Sequence, residues 1–224
     1  MEFDNSWEAL FSPGEATKFF DLASLPKFQF QAKGYSKANA WWLSEVSSLI
    51  YKRESGETRR KIKGPTRNNI LKKVNLKEVH FYSKKGTQCS IIEPIDPQNK
   101  KFVIVVFRGT DDIWALRDNL KLGLVSWPQG GKVHKGFKIG LNRVWPDINK
   151  YLKNQTCPVF YTGHSLGAAL ATLAASKRPP HAVYTFGSPR VGNKEFVKIV
   201  KNIKIFRVVN NRDFATTIPS SSIQ

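Results

Sequence analysis

Residues 159–170 read Val-Phe-Tyr-Thr-Gly-His-Ser-Leu-Gly-Ala-Ala-Leu, and this run constrains the fold more tightly than any other part of the chain. Val159, Phe160 and Tyr161 favour a strand. Leu166, Leu170 and Leu173 then recur at helical spacing among alanines. Between the two patterns stands Gly163-His164-Ser165-Leu166-Gly167, which must turn the chain sharply from strand to helix. Such a turn crowds strand against helix, so Gly163 and Gly167 stand where a Cβ would collide. Ala168, Ala169 and Ala171 let the helix lie close to a sheet. The same turn holds the Ser165 oxygen clear of the backbone, as a serine nucleophile requires. The N–H of Leu166, at the helix start, faces the place where an oxyanion would form. A bare Gly-x-Ser-x-Gly turns up by chance in roughly one chain of this length in fifteen, so the flanking strand and helix patterns carry the reading.

The remaining chain alternates between the two periodicities. Ser36 to Tyr51 places Ala38, Trp42, Val46, Leu49 and Ile50 on one helical face behind an N-cap serine. Residues 52–70 read as a basic loop. Leu76–Ser83 and Gln88–Glu93 flank Lys84-Lys85-Gly86-Thr87 as a hairpin. Phe102–Phe107 is an unbroken apolar run, the mark of a strand buried on both faces. After a loop at 123–133, Phe137, Leu141, Val144, Ile148 and Leu152 predict a helix over Lys135–Leu152, kinked at Pro146. Strand 158–162, the helix after Ser165, strand Ala182–Phe186, helix Asn193–Lys201 and strand Ile203–Val209 follow. This alternation predicts an α/β fold, a three-layer sandwich with a mostly parallel central sheet and helices on both faces. Residues 1–224 read as a single domain that begins with an N-terminal arm, 1–34, whose Phe11, Phe19, Phe20, Phe28 and Phe30 are available for packing.

Composition narrows the function classes. A chain of 224 residues buries about 70% of its unfolded surface and needs no metal or disulfide staple. Its two cysteines, Cys89 and Cys157, offer neither metal-ligand spacing nor a disulfide framework, and no cofactor is expected. No stretch approaches a membrane span, and the N-terminus lacks the pattern of a signal peptide, so either a cytoplasmic location or export by another route is expected. The net charge of +19 invites a nucleic-acid reading. However, the lysines are scattered, and the one dense cluster is Arg59, Arg60, Lys61, Lys63 and Arg67. That distribution argues against nucleic acid. It fits a solvated surface with transient contact to an anionic membrane or lipid-droplet surface.

Acyl transfer needs a nucleophile, a base, a group that orients the base, and an oxyanion hole. Asp213 fits the orienting acid, since it follows the last predicted strand in Val-Val-Asn-Asn-Arg-Asp. Thr110, in Phe107-Arg108-Gly109-Thr110 after an earlier central strand, is placed to give the second oxyanion donor. The next residues form a short helix pattern in which Ile113, Trp114 and Leu116 are apolar between charges, as in a lid over an acyl site.

Together these segments resemble the class 3 (fungal-type) lipase family of α/β-hydrolases. The matching pieces run in family order: Tyr-Ser-Lys-Ala-Asn-Ala-Trp-Trp-Leu at 35–43, Val-Val-Phe-Arg-Gly-Thr at 105–110, Val-His-Lys-Gly-Phe at 133–137, Gly-His-Ser-Leu-Gly-Ala-Ala-Leu-Ala at 163–171, Tyr-Thr-Phe-Gly-Ser-Pro-Arg-Val-Gly-Asn at 184–193 and Val-Val-Asn-Asn-Arg-Asp at 208–213. The resemblance implies a carboxylic ester hydrolase with Ser165 as nucleophile, Asp213 as triad acid, Thr110 and Leu166 as oxyanion hole, 111–118 as lid and lipid esters as substrates. Ala168 departs from the family's usual glycine and Ala215 from a larger aliphatic. A larger departure concerns the base. The family's histidine lies well past the aspartate, whereas the four histidines here are His80, His134, His164 and His181. The C-terminal part with the triad histidine is therefore expected to be missing. Two expectations follow: a lipase whose histidine is supplied beyond residue 224, or an inactive relative that binds lipid or acts as a scaffold. Acyl preference and oligomeric state stay open.

Overall fold

The hairpin pattern forms two antiparallel strands, β1 (Leu76–Lys84) and β2 (Thr87–Pro94), in the computed structural model, which describes residues 18–52, 54, 64–96, 98, 101–110 and 123–209. Lys85 and Gly86 turn the chain with φ of 47° and 83°, the doubly positive geometry that matches the twist of a tight hairpin. Strand β3 (Val103–Phe107) pairs antiparallel with β2. A small ribbon, β4 (Leu124–Ser126) and β5 (Lys132–His134), stands apart. Strands β6 (Val159–His164), β7 (Ala182–Phe186) and β8 (Ile205–Val208) extend the main sheet in parallel, in the order β1-β2-β3-β6-β7-β8. The sheet is mixed, parallel from β3 onward and antiparallel at its first two pairings.

Helix α1 (Lys37–Leu49) is capped by the Ser36 hydroxyl, which accepts from the Asn39 N–H at 3.1 Å. Helix α2 (Arg67–Lys72) begins inside the stretch 52–70 expected to be a basic loop and runs past its end. Two features correct that expectation: the Thr66 side chain caps the helix, and Arg67 is buried against the Glu78 carboxylate at 3.1 Å instead of being solvated. Helix α3 (Lys135–Leu152) contains Pro146 and buries the predicted stripe Phe137, Leu141, Val144, Ile148 and Leu152. Helix α4 (Leu166–Lys177) is buried from Gly167 to Ala175, and α5 (Lys194–Val200) is capped by Asn193. The expected loop at 123–133 contains the β4–β5 ribbon, whose Val133 also bridges Gly192; that pairing depends on a partner far along the chain.

The sheet separates two cores because successive strand residues point to opposite faces. Val103, Val105, Phe107, Tyr161 and Val183 pack with α3 and α4. Ile104, Val106, Phe160 and Tyr184 pack with Trp42, Leu43, Val46 and Leu49 of α1. Phe28 and Phe30 cover the latter face, with Phe28 ring centroids 4.5 Å from Phe102 and 5.0 Å from Phe160. Residues 18–36 form neither helix nor strand. The three layers leave the C-terminal ends of β3 and β6 side by side, with Phe107 opposite Gly163.

Candidate active site

Ser165 is the single residue between β6 and α4. Its backbone sits at φ 54°, ψ −121°, a region that costs a non-glycine residue about 1–3 kcal/mol unless its surroundings enforce it. Here they do. The Ser165 N–H donates to the Phe186 carbonyl at 3.0 Å, and the Ser165 carbonyl accepts from the N–H groups of Ala168 and Ala169 at 3.0 and 3.3 Å. Its side chain makes no capping bond to the helix, and the residue is 5% exposed.

The flanking glycines are required by contact with backbone. A Cβ on Gly163 would lie 2.5 Å from the Gly167 carbonyl carbon and 2.8 Å from the Phe107 oxygen. One on Gly167 would lie 2.1 Å from the Phe107 oxygen and 3.0 Å from the Arg108 carbonyl carbon. The loop leaving β3 therefore rests directly on the first turn of α4. Arg108 ties the other side of that loop to β2: its N–H donates to the Gln88 carbonyl at 3.0 Å and its guanidinium to the Gln88 side chain at 2.9 Å. Thr110 follows two residues later, half-buried. Leu166 occupies the first helical position, whose N–H has no acceptor within the helix. The loop leaving β3, which leads on to Thr110, and the start of α4 therefore lie side by side at the Ser165 turn.

Asp213 and the apolar residues Ile113, Trp114 and Leu116 lie outside the described residues. The four histidines are engaged at separate places. His164 turns its Nδ1 to the Tyr51 hydroxyl at 3.2 Å, with the rings edge to face at 6.0 Å. Burial pushes its imidazole down to about 4, so the ring is neutral near pH 7. His134 is the buried N-cap residue of α3, and its N–H donates to the Val191 carbonyl at 3.1 Å. His80 stacks on Tyr82 in β1, separated from β6 by β2 and β3. His181 bonds the Ala32 carbonyl at 3.0 Å and enters β7 level with Val159, so about 20 Å of strand separates it from Ser165. The sequence reading gives Tyr51 and Gly109 no part of their own in the site: both meet the Ser165 turn only through contacts between distant segments, which no local pattern encodes.

A groove of about 810 Å³ lies elsewhere, lined by Leu124, His134, Phe196, Val200, Ile205 and Arg207, and Ser165 is not part of its wall. Among the described residues no group of three His, Cys, Asp or Glu side chains is placed to hold a metal ion. No helix among them is long and apolar enough to cross a membrane.

The family model for lipase (class 3) matches residues 104–222, more than half of the chain. The chain is 32% identical over 163 residues to the chloroplastic phospholipase A(1) DAD1 of Arabidopsis thaliana, covering 58% of this chain and 36% of that one. It is likewise 32% identical over 141 residues to a Rhizopus niveus lipase, with 55% and 36% covered. It thus spans about a third of the length of these curated relatives. The crystal structure of the lipase from Rhizopus microsporus var. chinensis superimposes with a TM-score of 0.66 at 26% identity, covering 91% of this chain and 76% of that one.

Proposed function

We propose that this chain, which belongs to the class 3 lipase family, is a serine ester hydrolase acting on lipid esters, with Ser165 as the attacking group. The observation that carries the reading is the approach of the Phe107 oxygen to within 2.1 Å of where a Gly167 Cβ would stand. Only a glycine lets the β3 loop lie on the start of α4, and that contact brings the loop that leads to Thr110 beside the strained serine.

In this reading the Ser165 oxygen attacks the ester carbonyl and gives its proton to a histidine oriented by Asp213. The oxyanion accepts from the N–H groups of Leu166 and Thr110. Collapse expels the alcohol, protonated by the histidine, and water then cleaves the acyl-serine by the same route in reverse. Ile113, Trp114 and Leu116 serve as lid and acyl-chain contacts. The base in this reading is a histidine other than His80, His164 and His181. Support for that assignment comes from the bonds His164 and His181 already make and from the distances of His80 and His181 along the sheet.

The same engaged histidines favour a second reading, a lipid-binding relative without turnover. Hydrolysis of short-chain p-nitrophenyl esters by the protein expressed from its complete gene separates the two. Turnover abolished by Ser165→Ala supports the hydrolase. Binding to anionic vesicles with no turnover above the Ser165→Ala background supports the binding protein and overturns the hydrolase.

A further inference from the structure

The two proposed oxyanion donors belong to segments far apart in sequence, so no local geometry sets their separation. Both must nonetheless stand about 2.7–3.1 Å from one oxygen at the same moment. The Gly167 contact fixes the β3 loop at Phe107 and Arg108, but Thr110 lies further along it. At Gly109, the residue before Thr110, the neighbour is Tyr51, in the turn that follows α1, with its N–H on the Ser48 carbonyl at 3.1 Å and 2% of its surface exposed.

Tyr51 belongs to neither segment and touches both. Its hydroxyl is 3.2 Å from His164 Nδ1, one residue before Ser165. The same oxygen lies 2.0 Å from where a Gly109 Cβ would stand, one residue before Thr110. The His164 carbonyl is also only 2.6 Å from that point, so the loop, the hydroxyl and the end of β6 meet at the bare glycine. The Arg108 guanidinium stands over the Tyr51 ring at 5.3 Å and holds the phenol from the loop side.

We propose that Tyr51 is a positioning residue for ester hydrolysis: its hydroxyl, seated between Gly109 and His164, sets the spacing of the Thr110 and Leu166 donors. The inference rests on the reading of Ser165 as nucleophile. Tyr51 touches no reacting atom; it acts through the backbone of 109–110 on one side and 164–166 on the other. A phenol suits the place because its ring fills buried space while its oxygen bonds the His164 ring nitrogen. That ring is neutral and so has one nitrogen to donate and one to accept.

Tyr51→Phe removes the hydroxyl and keeps the ring beneath Arg108. In the protein expressed from its complete gene, the variant is expected to lower kcat for a short-chain p-nitrophenyl ester by about 10-fold with KM unchanged, and to slow labelling by a fluorophosphonate by a similar factor. A purely structural loss would instead lower the active fraction without slowing the labelling of the molecules that react. Nitrogen NMR of histidine-labelled protein reads the contact without turnover: the His164 ring signals shift in Tyr51→Phe, while those of His80 and His181 stay in place. A wild type labelled at Ser165 whose rate Tyr51→Phe leaves unchanged overturns the role of Tyr51 alone. Unshifted His164 signals overturn it as well. A wild type that is never labelled overturns the reading of Ser165 and the positioning role with it.

Discussion

Where β3 meets β6, all five residues of β3 are buried and backbone rests on backbone through Gly163 and Gly167. At β8 none of the four residues is buried, and a groove of about 810 Å³ runs between the strand and α5. Both regions belong to the parallel part of the same sheet, so strand chemistry does not explain the contrast. The demands of the turn do. A serine held at φ 54° keeps that conformation only if its neighbours leave no alternative, and the β3–β6 corner supplies those neighbours from β2, β3, β7 and α1. Among the described residues the β8 side holds no non-glycine residue at positive φ, and it borders open space.

The largest effect that would break this comparison is Gly167→Ala. Its Cβ meets the Phe107 carbonyl, which cannot rotate away, and a loss of more than about 3 kcal/mol is expected in urea unfolding. Gly140→Ala is the control within a helix: there the nearest atom is a Leu170 methyl at 3.4 Å, and the change is expected to stabilise α3 by about 0.5–1 kcal/mol. Equal losses at the two glycines would contradict the distinction.

The next effect is a pH dependence. His164 binds a proton below about 4 when folded and below 6.5 when unfolded, so between those values the unfolded chain holds more protons and stability rises with pH. Its contribution is complete above pH 6.5 and is lost as the pH falls to about 4, amounting to roughly 3 kcal/mol. Comparing wild type with His164→Asn over that window isolates this residue from the carboxylates. Parallel curves would contradict a ring held neutral by its desolvation. Smaller still, Ile205→Ala on β8 is expected to cost about 1 kcal/mol, below the range for a fully enclosed core residue, because the side chain is half-buried and borders the groove. A loss of about 3 kcal/mol there would remove the contrast between the two flanks.

These differences follow the line between what the sequence made legible and what it did not. Helix α1, the hairpin and β7 were readable because period and caps are written locally, in Ser36, in Lys85-Gly86 and in the run Ala182–Phe186. The glycines around Ser165 were readable for the same reason, since the crowding they relieve lies mostly within the motif. Helix α2 was obscured by a basic run whose Arg67 is paired with Glu78 across another element. The β4–β5 ribbon was obscured because each strand is three residues long and its partner Gly192 is remote. Tyr51 was hidden at the end of a helix pattern; nothing local marks the hydroxyl that meets Gly109 and His164. The family motifs reached further than periodicity did, but they name residues without giving the contacts that hold them.

The central claim, that the strained corner carries a reacting serine, is tested most directly by mapping a fluorophosphonate adduct by peptide mass spectrometry in the protein expressed from its complete gene. The adduct is expected on Ser165, with labelling lost in Ser165→Ala and in heat-unfolded protein. An adduct on any other residue, or none on folded protein that turns over esters, would contradict it.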